Sequence, residues 1–304
     1  MIDVHLDNPK NGITKIMINP WNSEQMAIST WGSTVELYST IHGTLIQKYN
    51  FQSPQMDITY CTQGIIASVG ADGLIHLNGQ EIGRHNAPIS CISYLPSHHL
   101  IATGSLDGIL KLWRFPSSEL YMTIELPMKI FCMTTLNSII YCGCKEKDIF
   151  SIDPSNGTFK QLPSYAKYHI RKLSSCEKTD SLIISTYSGR IIVVYPKEGD
   201  KRNFISFHAH EKKEKNLITL FPVNATIVNP LTGQLFSGGS DGMVSVWNVE
   251  TKTKMRVLDT KPAPTGVASL SFSIDGSKLA VAYSYGWELG DIEHAPDRVI
   301  IVDQ

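Results

Sequence analysis

Apolar and polar residues alternate along most of this chain, and apolar stretches of helical period and useful length are absent. The pattern is clearest in "GSLDGILKLW" (Gly104 to Trp113) and "GGSDGMVSVW" (Gly238 to Trp247). Each reads as a strand of small residues, an Asp-Gly turn, and an alternating strand that ends in Trp. "VGADGLIHLN" and "STWGSTVELY" are weaker copies, and "GCKEKDIFSI" and "TYSGRIIVVY" continue the series. Two alternating strands joined by a tight turn are a hairpin. The hairpins end at Tyr38, Asn78, Trp113, Ile152, Val194 and Trp247, with Val302 closing the chain. Spacings are about 35 to 42 residues at first and about 53 and 55 for the last two. Another strand precedes each hairpin, as in "TKIMINP", "PISCISYLP" and "NATIVNP", and a fourth follows most of them.

Seven such units fill the chain. One four-stranded unit has too little core to stand alone. A ring of seven buries both faces of every sheet and leaves only short protected edges. The period is that of a WD-repeat propeller with late insertions. The expected fold is all-β, a seven-bladed WD-repeat β-propeller forming one domain over residues 1–304. The last unit supplies only three strands, ending in "RVIIVDQ", and "DVHLDN" at the other end can complete it. Residues from Val4 to Leu6 are therefore expected to pair with Arg298 to Asp303 and close the ring.

Gly238 to Gly242 also satisfies G-x-S-x-G, the pattern of a serine nucleophile elbow. An elbow needs a helix after the serine, whereas "MVSVWNV" alternates as a strand, so Ser240 reads as turn architecture and no catalytic role is expected. Asp241 and Gly242 are good turn residues. His85 in "GRHNAPISCISY" precedes a strand, with Asp107 and Trp113 following in the same unit. This arrangement resembles that of WD-repeat proteins. The resemblance implies a buried network of His85, the turn Asp107, a strand hydroxyl and Trp113, with Asp241 and Trp247 in the matching places of the later unit.

Composition narrows the function classes. Of 304 residues, 42% are apolar and 18% charged, which allows a substantial core. The net charge of -1 exerts no bulk pull on nucleic acid or membranes. No apolar run approaches the ~18 residues of a membrane span, and "MIDVHLDNPKNG" does not read as a secretory signal. The six cysteines form no C-x-x-C. Cys142 and Cys144 share one face of a strand, and buried free thiols are the expected state. His98-His99 lacks acidic or Cys neighbours, and Glu288, Asp291, Glu293 and His294 match no calcium loop. No metal or other cofactor is expected.

The second half of the chain is more specific. "AKYHIRKL", "SGRIIVVY" and "FPVNATIVNPLTGQLFSGGSDGMVSVWNVETK" are similar to the spindle-checkpoint WD-repeat family whose name spells out as "budding uninhibited by benzimidazoles, member three". "HNAPISCISYLP" and "SLSFSIDGSKLAVAYSYGWELGDIEHAPD" extend the resemblance. The nuclear-pore mRNA-export propellers share most of these motifs, and Lys167, Tyr168 and Arg171 favour the checkpoint family. The resemblance implies a monomeric, non-catalytic mitotic scaffold in the nucleus and at kinetochores. Its implied partners are a GLEBS-motif segment of a checkpoint kinase or pseudokinase, and a kinetochore scaffold phosphorylated on Met-Glu-Leu-Thr repeats. Neither a membrane nor direct nucleic acid is expected as a partner. The alternative is an export propeller that binds a nucleoporin GLEBS motif.

The residue before each turn points to the top centre of such a ring. These residues are Trp31, Ala71, Leu106, Lys145, Tyr187 and Ser240. The expected peptide site is Trp31, Leu106, Lys167, Tyr168, Arg171, Tyr187 and Arg190, with Leu106 where the family usually has Trp. The expected phosphopeptide site is Arg190, His208 and Lys212. There the family usually has Lys or Arg in place of His208, and a neutral imidazole is a poor phosphate clamp. "HEKKEKN" mixes both charges and reads as a soluble loop.

Overall fold

The computed structural model describes residues 1–304 apart from positions 146, 164, 203, 216, 261–264, 287–289 and 291. Among the described residues no α-helix occurs, and seven four-stranded antiparallel sheets account for most of the chain. Their innermost strands are Ile13–Asn19, Gln55–Thr62, Ile89–Leu95, Ile130–Leu136, Ile170–Cys176, Val223–Val228 and Val267–Phe272, which begin blades 1 to 7 in that order. Seven apolar clusters fill the spaces between successive blades, the last blade packing on the first. This is the seven-bladed propeller that the alternation predicts. The inner strands of each blade bury their apolar residues against one neighbour or the other, whereas outermost strands such as Thr253–Val257 are exposed.

The ring closes through its two ends as expected, with a first strand that lies about two residues earlier than Val4 to Leu6. Ile2–Val4 pairs with Arg298–Asp303, with Ile2 opposite Ile301 and Val4 opposite Val299. The strand thus ends at Val4 and does not run on to Leu6. His5 N–H donates to Gly43 O, and Asp7 N–H donates to Tyr38 Oη, which turns the chain toward blade 1. Leu6 packs instead on the cluster between blades 7 and 1. Arg298 bonds the Asp3 carboxylate at 2.7 Å, and Asp297 accepts from Gly12 N–H at 2.7 Å.

A second difference lies between blades 5 and 6. The segment expected as a loop is a two-stranded hairpin, Glu211–Glu214 paired with Leu217–Leu220. Its charges pair with one another, Lys213 with Glu211 at 2.7 Å and Lys212 with Glu214 at 2.9 Å. Mixed charge therefore served a strand here, because alternate residues can pair within it.

One irregularity recurs in every blade. Each innermost strand carries a β-bulge after its first residue, and Thr14, Met56, Ser90, Phe131, Arg171, Asn224 and Ala268 are the extra residues. The next residue is Lys15, Asp57, Cys91, Cys132, Lys172, Ala225 or Ser269. Bulges re-aim side chains, and seven at one level give the channel two tiers of side chains. All six cysteines are free and buried. Burial pushes the Cys132 thiol up to about 11 and those of Cys61 and Cys144 to about 12, so these three stay protonated and unreactive.

Candidate functional site

The mouth of the channel is a cavity of about 840 Å³. Its walls include all seven bulge residues, and above them Trp31, Leu106, Tyr187 and Tyr285. Trp31 and Tyr187 are 44% and 49% exposed, which is high for aromatic side chains. The Arg171 guanidinium lies over the Tyr187 ring, 5.3 Å from its centroid. It donates to Tyr187 Oη at 3.3 Å and to Asn224 Oδ1 at 3.2 Å. Stacking and two hydrogen bonds hold a guanidinium in one orientation, which suits it to a carboxylate or phosphate.

Trp31, Leu106, Arg171 and Tyr187 thus come together at one mouth. Lys167 and Tyr168 do not line it. They sit just before the innermost strand of blade 5, exposed, with the Lys167 ammonium 5.7 Å from the Tyr168 ring centroid. Arg190 is also apart from the mouth. It begins the third strand of blade 5, stands opposite His208, and donates to Ser206 Oγ at 3.2 Å. Arg190 and His208 therefore meet as cross-strand neighbours near the outer edge of the blade. His208 Nδ1 lies 3.6 Å from the Glu211 carboxylate, and Lys212 is held by Glu214 within the extra hairpin.

Of the residues before the turns, Ala71, Lys145 and Ser240 do not line the cavity. Ser240 occupies the turn between strands Leu235–Gly239 and Val244–Asn248, and its Oγ accepts from Asn224 Nδ2 at 3.0 Å. The elbow geometry, strand to helix, is not formed there. Glu288 and Asp291, from the acidic group of the last blade, lie outside the described residues. His294 of the same group stacks on Tyr285 with centroids 4.9 Å apart.

Beneath the crown, two polar networks join neighbouring blades. In blade 3, His85 Nε2 lies 2.8 Å from Thr103 Oγ1, to which Trp113 Nε1–H donates at 3.0 Å. Asp107 is exposed and accepts from Ile109 N–H within its own turn. His85 Nδ1 is left without a partner. Burial, reinforced by the Lys111 charge and opposed by Asp107, lowers the His85 pKa to about 4. In blade 6 the network is complete. His210 Nδ1 lies 2.9 Å from both Asp241 oxygens, His210 Nε2 is 2.8 Å from Ser237 Oγ, and Trp247 Nε1–H donates to that hydroxyl at 2.8 Å. Sequence reasoning assigned Asp241 and Trp247 but missed His210, because the extra hairpin separates it from its blade. Its signal was a histidine with no other role, upstream of the second Asp-Gly…Trp hairpin.

Sequence reasoning also missed the lower tier of the channel. Lys15 bonds Asp57 at 2.6 Å, and Asp57 further accepts from Ile58 and Ile92 N–H at 2.9 and 3.0 Å. Lys172 occupies the same tier in blade 5, half-buried.

The WD domain, G-beta repeat model matches residues 79–114. That stretch runs from the outer strand of blade 2 through the third strand of blade 3, and it contains His85, Asp107 and Trp113. The chain is 27% identical over 289 residues to the spindle assembly checkpoint protein bub3 of Schizosaccharomyces pombe, covering 91% of this chain and 89% of that protein. It is 28% identical to the mitotic checkpoint protein bub3 of Dictyostelium discoideum, covering 96% and 92%. The chain resembles the spindle-checkpoint WD-repeat proteins over nearly its whole length. It is also 26% identical to the Poly(A)+ RNA export protein of Schizosaccharomyces pombe, over 93% of this chain and 84% of that one. A solved structure titled "Structure of U3-55K" shares the fold at a TM-score of 0.84 and 13% identity, covering 100% of this chain and 98% of that one. These relatives carry the names of checkpoint and export proteins, not of enzymes.

Proposed function

We propose that this chain is a non-catalytic scaffold of the mitotic spindle assembly checkpoint, acting in the nucleus and at kinetochores. On this reading an extended GLEBS-type segment of a checkpoint kinase or pseudokinase lies across the crown. Trp31, Leu106 and Tyr187 bury its apolar side chains, and Arg171 receives an acidic one. The observation that carries the proposal is the Arg171 guanidinium fixed on Tyr187 at the cavity mouth. Oriented donors at a rim of exposed aromatics suit a peptide better than a freely rotating cation does. Lys167 and Tyr168 extend the same track beyond the mouth. The pair of Arg190 and His208 is assigned to a phosphorylated Met-Glu-Leu-Thr repeat of a kinetochore scaffold protein, and Lys212 can join it on leaving Glu214.

A GLEBS peptide titrated against the wild type and Arg171→Glu tests the crown. Charge reversal against a desolvated carboxylate should weaken binding by about 100-fold, roughly 3 kcal/mol. Equal affinities would remove Arg171 from the site. The similarity to export proteins keeps a second reading, in which the segment belongs to a nucleoporin. Imaging a tagged copy separates the two: signal on unattached kinetochores supports the checkpoint role, and signal confined to the nuclear rim supports export.

A further inference from the structure

Among the described residues, the channel below the crown holds more positive charge than its carboxylates balance. Lys15 and Lys172 share the lower tier with one carboxylate, Asp57, and Asp57 is committed to Lys15 and two backbone N–H groups. Among the described residues the Lys172 ammonium has no ion pair or hydrogen bond, although the residue is half-buried and lines the cavity. Arg171, one residue earlier, adds a second charge at the mouth. Among the described residues no Asp or Glu lines the cavity. The two lysines are close enough that Lys172 contributes to the lowering of the Lys15 pKa, behind the effect of burial. A narrow cleft of one sign with low-dielectric walls concentrates its field, and an ammonium there is poorly solvated unless an anion joins it.

We propose that the channel binds a small multivalent phosphate anion, with Lys172 as its deep contact and Arg171 as its contact at the mouth. The cavity, about 840 Å³, has room for several phosphate groups. Phosphate matches the donors better than a single carboxylate does, because a multiply charged anion can meet the ammonium and the guanidinium together. The site shares Arg171 with the peptide track, and its deep contact, Lys172, does not depend on the identity of any peptide.

Calorimetric titration of the whole chain with inorganic tripolyphosphate at low ionic strength tests this, with citrate as the carboxylate comparison. One anion should bind per chain, more tightly for tripolyphosphate than for citrate. Lys172→Met should weaken it by about tenfold or more, the loss of one charge-assisted contact. Lys160→Met, on the outer strand of blade 4, should leave it unchanged. Because the Lys172 ammonium has no polar partner among the described residues and Met keeps the apolar stem, the variant should melt like the wild type. Acetylation footprinting of the unmodified protein provides a second readout, in which tripolyphosphate should shield Lys172 and not Lys160. Absence of binding, equal affinity in Lys172→Met, or equal labelling of Lys172 with and without the anion would each overturn the site. Citrate binding as tightly as tripolyphosphate would overturn the assignment to phosphate.

Discussion

Blades 3 and 6 carry nearly the same hairpin, yet only blade 6 closes its polar network. Both have a strand hydroxyl, an Asp-Gly turn and a Trp at matching positions: Thr103, Asp107 and Trp113 against Ser237, Asp241 and Trp247. Both have a buried histidine whose carbonyl oxygen lies against the turn glycine of the preceding blade. A Cβ on Gly73 would come within 2.7 Å of His85 O, and one on Gly189 within 2.7 Å of His210 O. The difference lies two residues before the aspartate, where blade 3 has Ser105 and blade 6 has Gly239. A Cβ on Gly239 would lie 2.4 Å from His210 Nδ1 and 2.6 Å from Asp241 Oδ1. The side chain that blade 6 lacks there is what Asp and His need out of the way. In blade 3, Ser105 occupies that space and bonds the Ala87 and Pro88 carbonyls, while Asp107 turns outward. One Cβ thus decides whether a shared motif becomes a tetrad.

Removing each histidine tests this contrast most strongly. His210→Ala leaves Asp241 and the Ser237 hydroxyl without their buried partner and should cost about 3 to 5 kcal/mol. His85→Ala removes one partner of the Thr103 hydroxyl, which keeps its bond from Trp113, and should cost about 2 kcal/mol. Urea unfolding measures both, and equal costs would mean that the completed network adds nothing.

Acid should expose the incomplete network next. The His85 pKa is about 4 in the folded protein, below the ordinary value of roughly 6.5 for an exposed histidine. As the pH falls through 6.5 the unfolded chain takes up a proton that the folded one refuses. The stability held above pH 6.5 is therefore lost progressively toward pH 4, by at most about 3 kcal/mol. Subtracting the pH profile of His85→Gln from that of the wild type isolates this residue. Parallel profiles would show that His85 is not held neutral.

Exchanging the deciding residues should have the smallest effect and the sharpest meaning. Gly239→Ser should push His210 and Asp241 apart at a cost of about 2 kcal/mol. Ser105→Gly should change stability by less than about 1 kcal/mol while freeing Asp107 to reach His85. The NMR titration of His85 should then move upward. An unmoved titration would place the cause elsewhere than in the Cβ.

The blades were legible in the sequence because they are local. Alternation, Asp-Gly turns and the spacing of Trp113 and Trp247 each act within about 40 residues, and the incomplete last unit pointed to the first strand. The closing strand shifted by two residues because Gly43 and Tyr38, from another blade, capture His5 and Asp7. Of the residues before the turns, Trp31, Leu106 and Tyr187 reach the mouth, whereas Ala71, Lys145 and Ser240 do not, so position before a turn is not enough by itself. Arg190 was grouped with them on motif alone, whereas its cross-strand pairing sends it toward Ser206 and His208.

The chain's own pattern determined the blades, their number, and the aromatic crown, because neighbours in sequence settle alternation and turns. Only the closed ring decided which side chains meet across it. Lys15, Asp57 and Lys172 come from blades 1, 2 and 5, and no local rule brings them to one tier. The bulge repeated in seven innermost strands does, by aiming one residue from each blade at a common axis. The same holds for His210 and Asp241, whose contact depends on clearance at Gly239, and clearance exists only once two blades have packed.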